Sequence, residues 1–313
     1  MSQIEAQSRA PSEIGVDRRA GSRRRLLPYL LVLPIVLYEG MLILYPIAQG
    51  VYSSFTKTEV GGGNPTWVGL KNYQRMLEDA GFWRVMGNTL VYMLAVIVVA
   101  LAAGLVTALI LNRSFRGRTV TRGLMTLPWA FPEVPTVLVF IWILNPTFGV
   151  INVFARLLPG IDENLMWLLD GRLAMVWVIL ITAWKGFPFY SLVIIAALQT
   201  VPADLYDAAH VDGANPLQAF RHVTLPSIAP TLLLLAVLAS IFSFKQFTLI
   251  WLLTGGGPSG ATETVVVRIY NTAFRFYDFS YGATIGVAGF LVAMFIALVF
   301  VWIQVRQEQG NPL

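Results

Sequence analysis

Thr182, Lys185, Gly186 and Phe189 fall at the spacing i, i+3, i+4, i+7, which places them on one face of a helix. Ala239, Phe242, Ser243 and Gln246 repeat that spacing further along the chain. Each set joins aromatic surface to groups that form hydrogen bonds, a combination suited to lining the path of a polar solute. Lys185 and Lys245 are anomalies, because both lie in long apolar runs where an ammonium is unfavourable by roughly 2.5 to 3.5 kcal/mol on insertion scales. Each needs water, a partner or a route to the membrane surface. Lys185 either bonds carbonyls freed by Pro188, which should kink its helix, or meets the solute; Lys245 either pairs with a neighbouring subunit or meets the solute. Glu133, set among Pro128, Pro132 and Pro135, reads as a partner or gate residue rather than a catalytic acid.

Residues for covalent or metal chemistry are scarce. The chain has no cysteine, which excludes disulfides, thiol catalysis and Cys-ligated metal. Its two histidines, His210 and His222, form no HExxH pattern, so no metal is expected. There is no GxxxxGK[ST] phosphate loop, so the chain is expected to bind no cofactor and to hydrolyse no ATP. A membrane-embedded glycan enzyme needs paired carboxylates or a nucleophile with its base, and Asp162-Glu163 has no basic partner. A secondary transporter is the other alternative, but neither an internal repeat nor a paired acidic ion site supports it.

The elements that position these residues follow from composition. Of 313 residues 56% are hydrophobic and 12% charged, against about a quarter charged in a soluble domain. The fold class is therefore an all-α integral membrane protein. Apolar runs long enough to cross about 30 Å of hydrocarbon lie at Leu26 to Ala48, Leu90 to Leu111, Met125 to Leu144, Ala174 to Gln199, Ile228 to Leu253 and Ala283 to Gln304. Six crossings put both termini on one side. Arg18, Arg19, Arg23, Arg24 and Arg25 before the first run, with Arg113, Arg116, Arg118 and Arg122 after the second, make that side the cytoplasm. These arginines contribute to the net charge of +5; they orient spans and meet anionic lipid, and no nucleic acid is expected as a partner. Residues 1–25 read as a flexible basic tail without a leader cleavage site, residues 26–304 as the membrane domain, and residues 305–313 as a second cytoplasmic tail.

Between the fourth and fifth runs lies a polar insert, 202–226, whose core reads LYDAAHVDGANPLQAFRHVTLP. Ala203 to His210 is expected to be helical, Gly213 to turn the chain, and Pro216 to Val223 to form a second helix that Leu225-Pro226 ends. The small surface of Ala208 and Ala209 would let such a pair seat in a groove on a cytoplasmic protein. On the other side, Thr264 to Tyr277 mixes Val265, Ile269, Tyr270 and Phe274 with Arg268 and Arg275, as in a helix lying on the membrane interface.

Asp207-Ala208-Ala209, Asp212-Gly213-Ala214 and Leu225-Pro226, in that order between two spans, resemble the EAA loop of binding-protein-dependent ABC importer permeases, with Asp207 where Glu is usual. Trp67 to Tyr73, Phe82-Trp83 through Asn88-Thr89, Leu127-Pro128-Trp129, Trp184 to Phe189 and Leu253 to Pro258 resemble the carbohydrate branch, which contains the maltose permeases. The resemblance covers nearly the whole chain. It implies the type I permease fold, six transmembrane helices with both termini cytoplasmic, in the bacterial cell membrane. It also implies a second homologous permease, a pair of ATPase subunits that bind ATP and Mg, and an extracytoplasmic solute-binding protein meeting the Gly255 to Pro258 turn. In that family reading Asp207 pairs with a basic group of the ATPase, Ala208 and Ala209 pack against it, Gly213 shapes the elbow, and Asp212, Leu225 and Pro226 complete the coupling loop. The faces carrying Thr182 and Phe242 match positions lining a sugar site. The implied solute is a di- or oligosaccharide, with glycerol phosphate compounds or polyols as alternatives.

Overall fold

The computed structural model describes residues 18–58 and 64–310, with side chains described for residues 28–58 and 64–306. The chain is helical almost throughout: α1 Arg18–Ser54, α2 Lys71–Glu78, α3 Ala80–Asn112, α4 Arg118–Ala130, α5 Glu133–Ile143, α6 Val150–Ala155 and α7 Gly171–Gln199. There follow α8 Ala203–Val211, α9 Pro216–Ala219, α10 Leu225–Phe244, α11 Thr248–Thr254, α12 Val265–Tyr270 and α13 Phe279–Gly310. One short antiparallel ladder pairs β1, Thr56–Lys57, with β2, Thr66–Trp67. Among the described residues five helical segments are each long and apolar enough to cross a membrane, and α4 with α5 makes a sixth crossing if the bent pair is one span.

The chain divides into two units, residues 1–49 and 50–313. In the first, α1 begins at Arg18, so residues 18–25 of the expected tail are helical and residues 1–17 lie outside the described residues. At the other terminus α13 runs to Gly310, and residues 311–313 lie outside them too.

The second unit is built around α3, which packs along α7, with α10 against both. Gly104 makes this approach possible: a Cβ there would sit 3.1 Å from the Tyr190 Cβ and 3.2 Å from the Ser191 backbone nitrogen. Ala100, Ala108, Ile194, Ile228 and Leu235 fill the seam. A second apolar cluster joins Tyr92 and Val96 of α3 to Val137 of α5, Ile181 of α7, Ile250 of α11 and Val267 of α12.

Three elements depart from the pattern read in the apolar runs. The third run is broken at Phe131-Pro132, where α4 and α5 meet at 92°. Pro132 supplies no N–H, and Phe131 before it takes the extended backbone that a residue preceding proline favours. The fourth run behaves oppositely, since α7 continues as helix through Pro188. Leu225-Pro226 does not end the insert's second helix. A π-helical turn, Phe220–Thr224, carries α9 straight into α10, with the Leu225 N–H bonded to the Phe220 carbonyl. The wider turn offers a register in which Pro226 needs no N–H, and Pro226 sits in the first turn of α10, where proline is tolerated.

The Thr264 to Tyr277 segment is also not an interfacial helix. Val265 and Val267 are fully buried, and Arg268 is bound within the protein, 3.3 Å from Asp79 and 3.5 Å from Glu263. Asp79 caps α3 by accepting from the Gly81 N–H at 2.7 Å, and also accepts from the Tyr281 hydroxyl at 2.9 Å. This polar knot clamps the starts of α3 and α13 to α12.

Candidate functional site

A cavity of about 310 Å³ lies where α3, α7 and α10 meet the α4–α5 break. Thr182, Lys185, Gly186 and Phe189 all line it, as their shared face requires, and so do Phe242, Ser243 and Gln246. Ala239 does not; it is fully buried in the seam with α3 and α7. Gln246 reaches the cavity by a different route from the one its spacing implies. α10 ends at Phe244, and Lys245 and Gln246 belong to the irregular link before α11.

The break in the third run and this link face each other. The Gln246 side-chain amide donates to the Glu133 carboxylate, and the Lys185 ammonium donates to the Phe131 carbonyl. That carbonyl is left free by the extended Phe131-Pro132 corner, so the proline that supplies the lysine's acceptor is Pro132 and not Pro188. Lys245 stands 5.0 Å from the centre of the Phe242 ring, a distance at which the ring face attracts an ammonium. Thr182 is bonded twice: its hydroxyl donates to the Val178 carbonyl at 2.7 Å and accepts from the Tyr92 hydroxyl at 3.0 Å. The Ser243 hydroxyl, by contrast, has no hydrogen-bond partner among the described residues. Trp129 and Phe189 stack with ring centres 6.0 Å apart.

The spacing argument does not reach Trp129 or Tyr190, both of which line the cavity. Tyr190 had a signal, since Thr182, Gly186 and Tyr190 continue one face at steps of four. Trp129 had none, because its position depends on the break after it.

The insert forms a second, more open site. Ala208, Ala209, Asp212 and Gly213 line a groove together with Leu205, Gln218 and His222. Asp207, Leu225 and Pro226 lie outside that groove. Gly213 has φ +77 and ends α8: its N–H bonds the His210 carbonyl and the Ala214 N–H bonds the Ala209 carbonyl, the hydrogen-bond pair of a Schellman cap. Asn215 and Gln218 form a capping box that starts α9. The Tyr206 hydroxyl meets the Thr224 hydroxyl at 3.0 Å, bracing α8 against the π-helical turn. His210 and His222 each bond a backbone carbonyl of their own helix, Tyr206 and Gln218 respectively. Asp207 is exposed and has no partner among the described residues. Val211 and Leu217 are 88% and 74% exposed.

A half-buried polar crossing point inside an apolar bundle, with an open helical elbow between two spans, is the plan of a transport subunit. Residues 100–311 match the model of the family described as "Binding-protein-dependent transport system inner membrane component". The chain belongs to that family. It is 34% identical to the sulfoquinovosyl glycerol transport system permease protein of Agrobacterium fabrum, over 88% of this chain and 89% of the relative. It is 30% identical to the trehalose/maltose transport system permease protein of Thermococcus litoralis, over 89% and 93%. A chain in the crystal structure of a bacterial ABC transporter that imports the acidic polysaccharide alginate matches with TM-score 0.79 at 23% identity, over 93% of this chain and 99% of that one. These findings fix the fold as that of an ABC importer permease and the protein as a multi-pass membrane transport component.

Proposed function

We propose that this permease carries a sugar or glycoside inward as one of two permease subunits of an ATP-driven importer in the bacterial inner membrane, with both termini and the insert in the cytoplasm. The observation that carries the reading is the cavity. Aromatic faces of Trp129, Phe189 and Phe242 stand beside the Ser243 hydroxyl and the Glu133–Gln246 pair, matching a ring with an apolar face and a hydroxylated edge. The names of the relatives support the same class of solute. The chain performs no chemistry of its own in this reading; ATP and Mg bind at partner ATPase subunits.

Energy enters through the insert. Asp207 engages a basic group of the ATPase, Val211 and Leu217 are covered by it, and the rigid elbow at Gly213 passes its motion through the π-helical turn into α10. An extracytoplasmic binding protein delivers the solute at the end of the spans remote from the insert. The chain with the subunits encoded beside it, reconstituted in vesicles, should take up a neutral disaccharide only when ATP is supplied on the insert's side. ATP-independent uptake, or purification without an ATPase and second permease, would refute the assembly.

The cavity lining also favours one second reading of the solute. Two ammoniums, Lys185 and Lys245, face one carboxylate, Glu133, which suits a glycoside or glycerol ester carrying a negative charge. Competition of a sugar phosphate or sulfonate with the neutral disaccharide decides between them.

A further inference from the structure

A row of aromatic rings that the solute-site argument does not use, none of them in the cavity wall itself, begins at the chain neighbour of a cavity residue. Phe247 follows the cavity residue Gln246 and stacks on Trp251 at 5.7 Å with 15° between the ring planes. Trp251 meets Tyr270 at 4.5 Å, Tyr270 meets Phe274 at 5.3 Å, and Phe274 meets Phe279 at 5.8 Å. No gap between successive ring centres exceeds 5.8 Å. Phe274 and Phe279 are 58% and 49% exposed, so the row runs from the residue next to Gln246 in the chain out to the surface. It ends remote from the insert, since α10 and α11 lie between the two.

The donors along the row distinguish its occupant from a lipid tail. The Arg275 guanidinium stands 5.9 Å from the centre of the Trp251 ring. Among the described residues neither Arg275, the Trp251 indole N–H nor the Tyr270 hydroxyl has a hydrogen-bond or ion-pair partner. Acyl chains offer nothing to such groups, whereas sugar hydroxyls do. The polarised C–H face of a sugar ring also matches the negative face of an aromatic ring.

We infer that Phe247, Trp251, Tyr270, Phe274 and Phe279, with Arg275, form a second carbohydrate site, a stacking track on which the solute moves between the outer surface and the cavity. This rests on the sugar reading of the cavity. Stacking on successive rings keeps each step shallow, so the solute is held without being trapped.

The test uses the assembled transporter in vesicles, with a neutral disaccharide as probe and both uptake and ATP hydrolysis measured. Tyr270→Leu and Phe274→Leu keep apolar bulk for a lipid or protein neighbour but remove the stacking face. Each should lower uptake kcat/KM by about two- to tenfold, as expected for losing one aromatic contact. ATP hydrolysis should persist, raising the ATP used per sugar, and Phe274→Trp should restore uptake. Unaltered uptake in both leucine variants would overturn the track while leaving the sugar reading intact. Loss of the second permease on purification of either variant would overturn it too, assigning the rings to a subunit contact. A wild-type assembly that carries another solute and no sugar would instead remove the reading on which the track rests.

Discussion

In the central cavity Glu133 holds Gln246, Lys185 holds the Phe131 carbonyl and Thr182 is bonded twice. In the insert Asp207 has no partner among the described residues, and Val211 and Leu217 stand in the open. Several of the cavity's polar groups are already bonded, so in the proposed reading an entering solute exchanges some bonds rather than gaining all of them, which keeps binding reversible. In the proposed reading the insert is a surface whose other half belongs to another molecule. Cavity substitutions should therefore alter which solute is carried and how tightly, and insert substitutions whether anything is carried at all.

The largest effect is expected at Gly213. A side chain in the left-handed region costs about 1–2 kcal/mol, and Gly213→Val adds a β-branched residue at φ +77. Uptake should fall by about tenfold or more, while insertion in the membrane and solute binding by the cavity persist. Asp207→Ala should act in the same direction without loosening the elbow. Normal ATP-driven uptake by both variants would erase the distinction between the two regions.

Glu133 gives the next largest effect. Glu133→Ala leaves the half-buried Gln246 amide without its acceptor, a loss of about 0.5–1.5 kcal/mol. The apparent KM for a neutral sugar should rise by up to about tenfold with kcat little changed. Glu133→Gln retains the shape and removes the charge that opposes Lys185 and Lys245, so an anionic solute should compete better against a neutral one. Equal effects of both variants on kcat alone would place Glu133 with the insert's function and not with the cavity's.

Thr182 sharpens the contrast at a smaller scale. Its proton is committed to Val178, so Thr182→Val should alter uptake by no more than about twofold, yet it strands the buried Tyr92 hydroxyl and should lower the unfolding temperature. Adding Tyr92→Phe removes the stranded group, and the double variant should recover part of that loss. A double variant less stable than Thr182→Val alone would show that Tyr92 is satisfied elsewhere.

The two regions also differ in how far the sequence discloses them. Everything that shapes the insert is local: the Gly213 cap, the Asn215–Gln218 box and Asp207-Ala208-Ala209 lie within one short stretch, and only the passage through Leu225-Pro226 escapes, because a π-helical turn leaves no composition signal. The face carrying Thr182, Lys185, Gly186 and Phe189 was legible for the same reason. The opposite wall was legible only in part, through Phe242 and Ser243. The link at Lys245 and Gln246 contains no Gly or Pro, and its side chain bonds across the cavity to Glu133, distant in the chain. Ala239 satisfied the helical spacing yet went to the seam, since spacing fixes a face but not which neighbour that face meets. Val265 was misread likewise, because an apolar face looks the same whether lipid or protein covers it.

A third region supplies the smallest effect and a control for both. Asp79 sits before α3, outside the long apolar segments, and takes no part in the cavity or the insert. Burial pushes its carboxyl upward, but the hydrogen bond from Tyr281, the backbone N–H of Gly81, the charge of Arg268 and the backbone N–H of Phe82 together outweigh that and hold it below the usual carboxylate value. A carboxylate whose folded pKa lies below its unfolded one, about 3.9, stabilises the fold fully above that value. The contribution is lost as pH falls through the folded pKa. Asp79→Asn should therefore lower the unfolding temperature at neutral pH, and the gap to the wild-type chain should narrow as pH falls below about 4. Neutral-pH uptake per folded molecule should match the wild-type protein, in contrast to the Gly213 and Glu133 variants. A gap that stays constant into acid would mean that the carboxylate's charge contributes nothing to the clamp between α3, α12 and α13, leaving only its hydrogen-bond geometry, which asparagine partly reproduces.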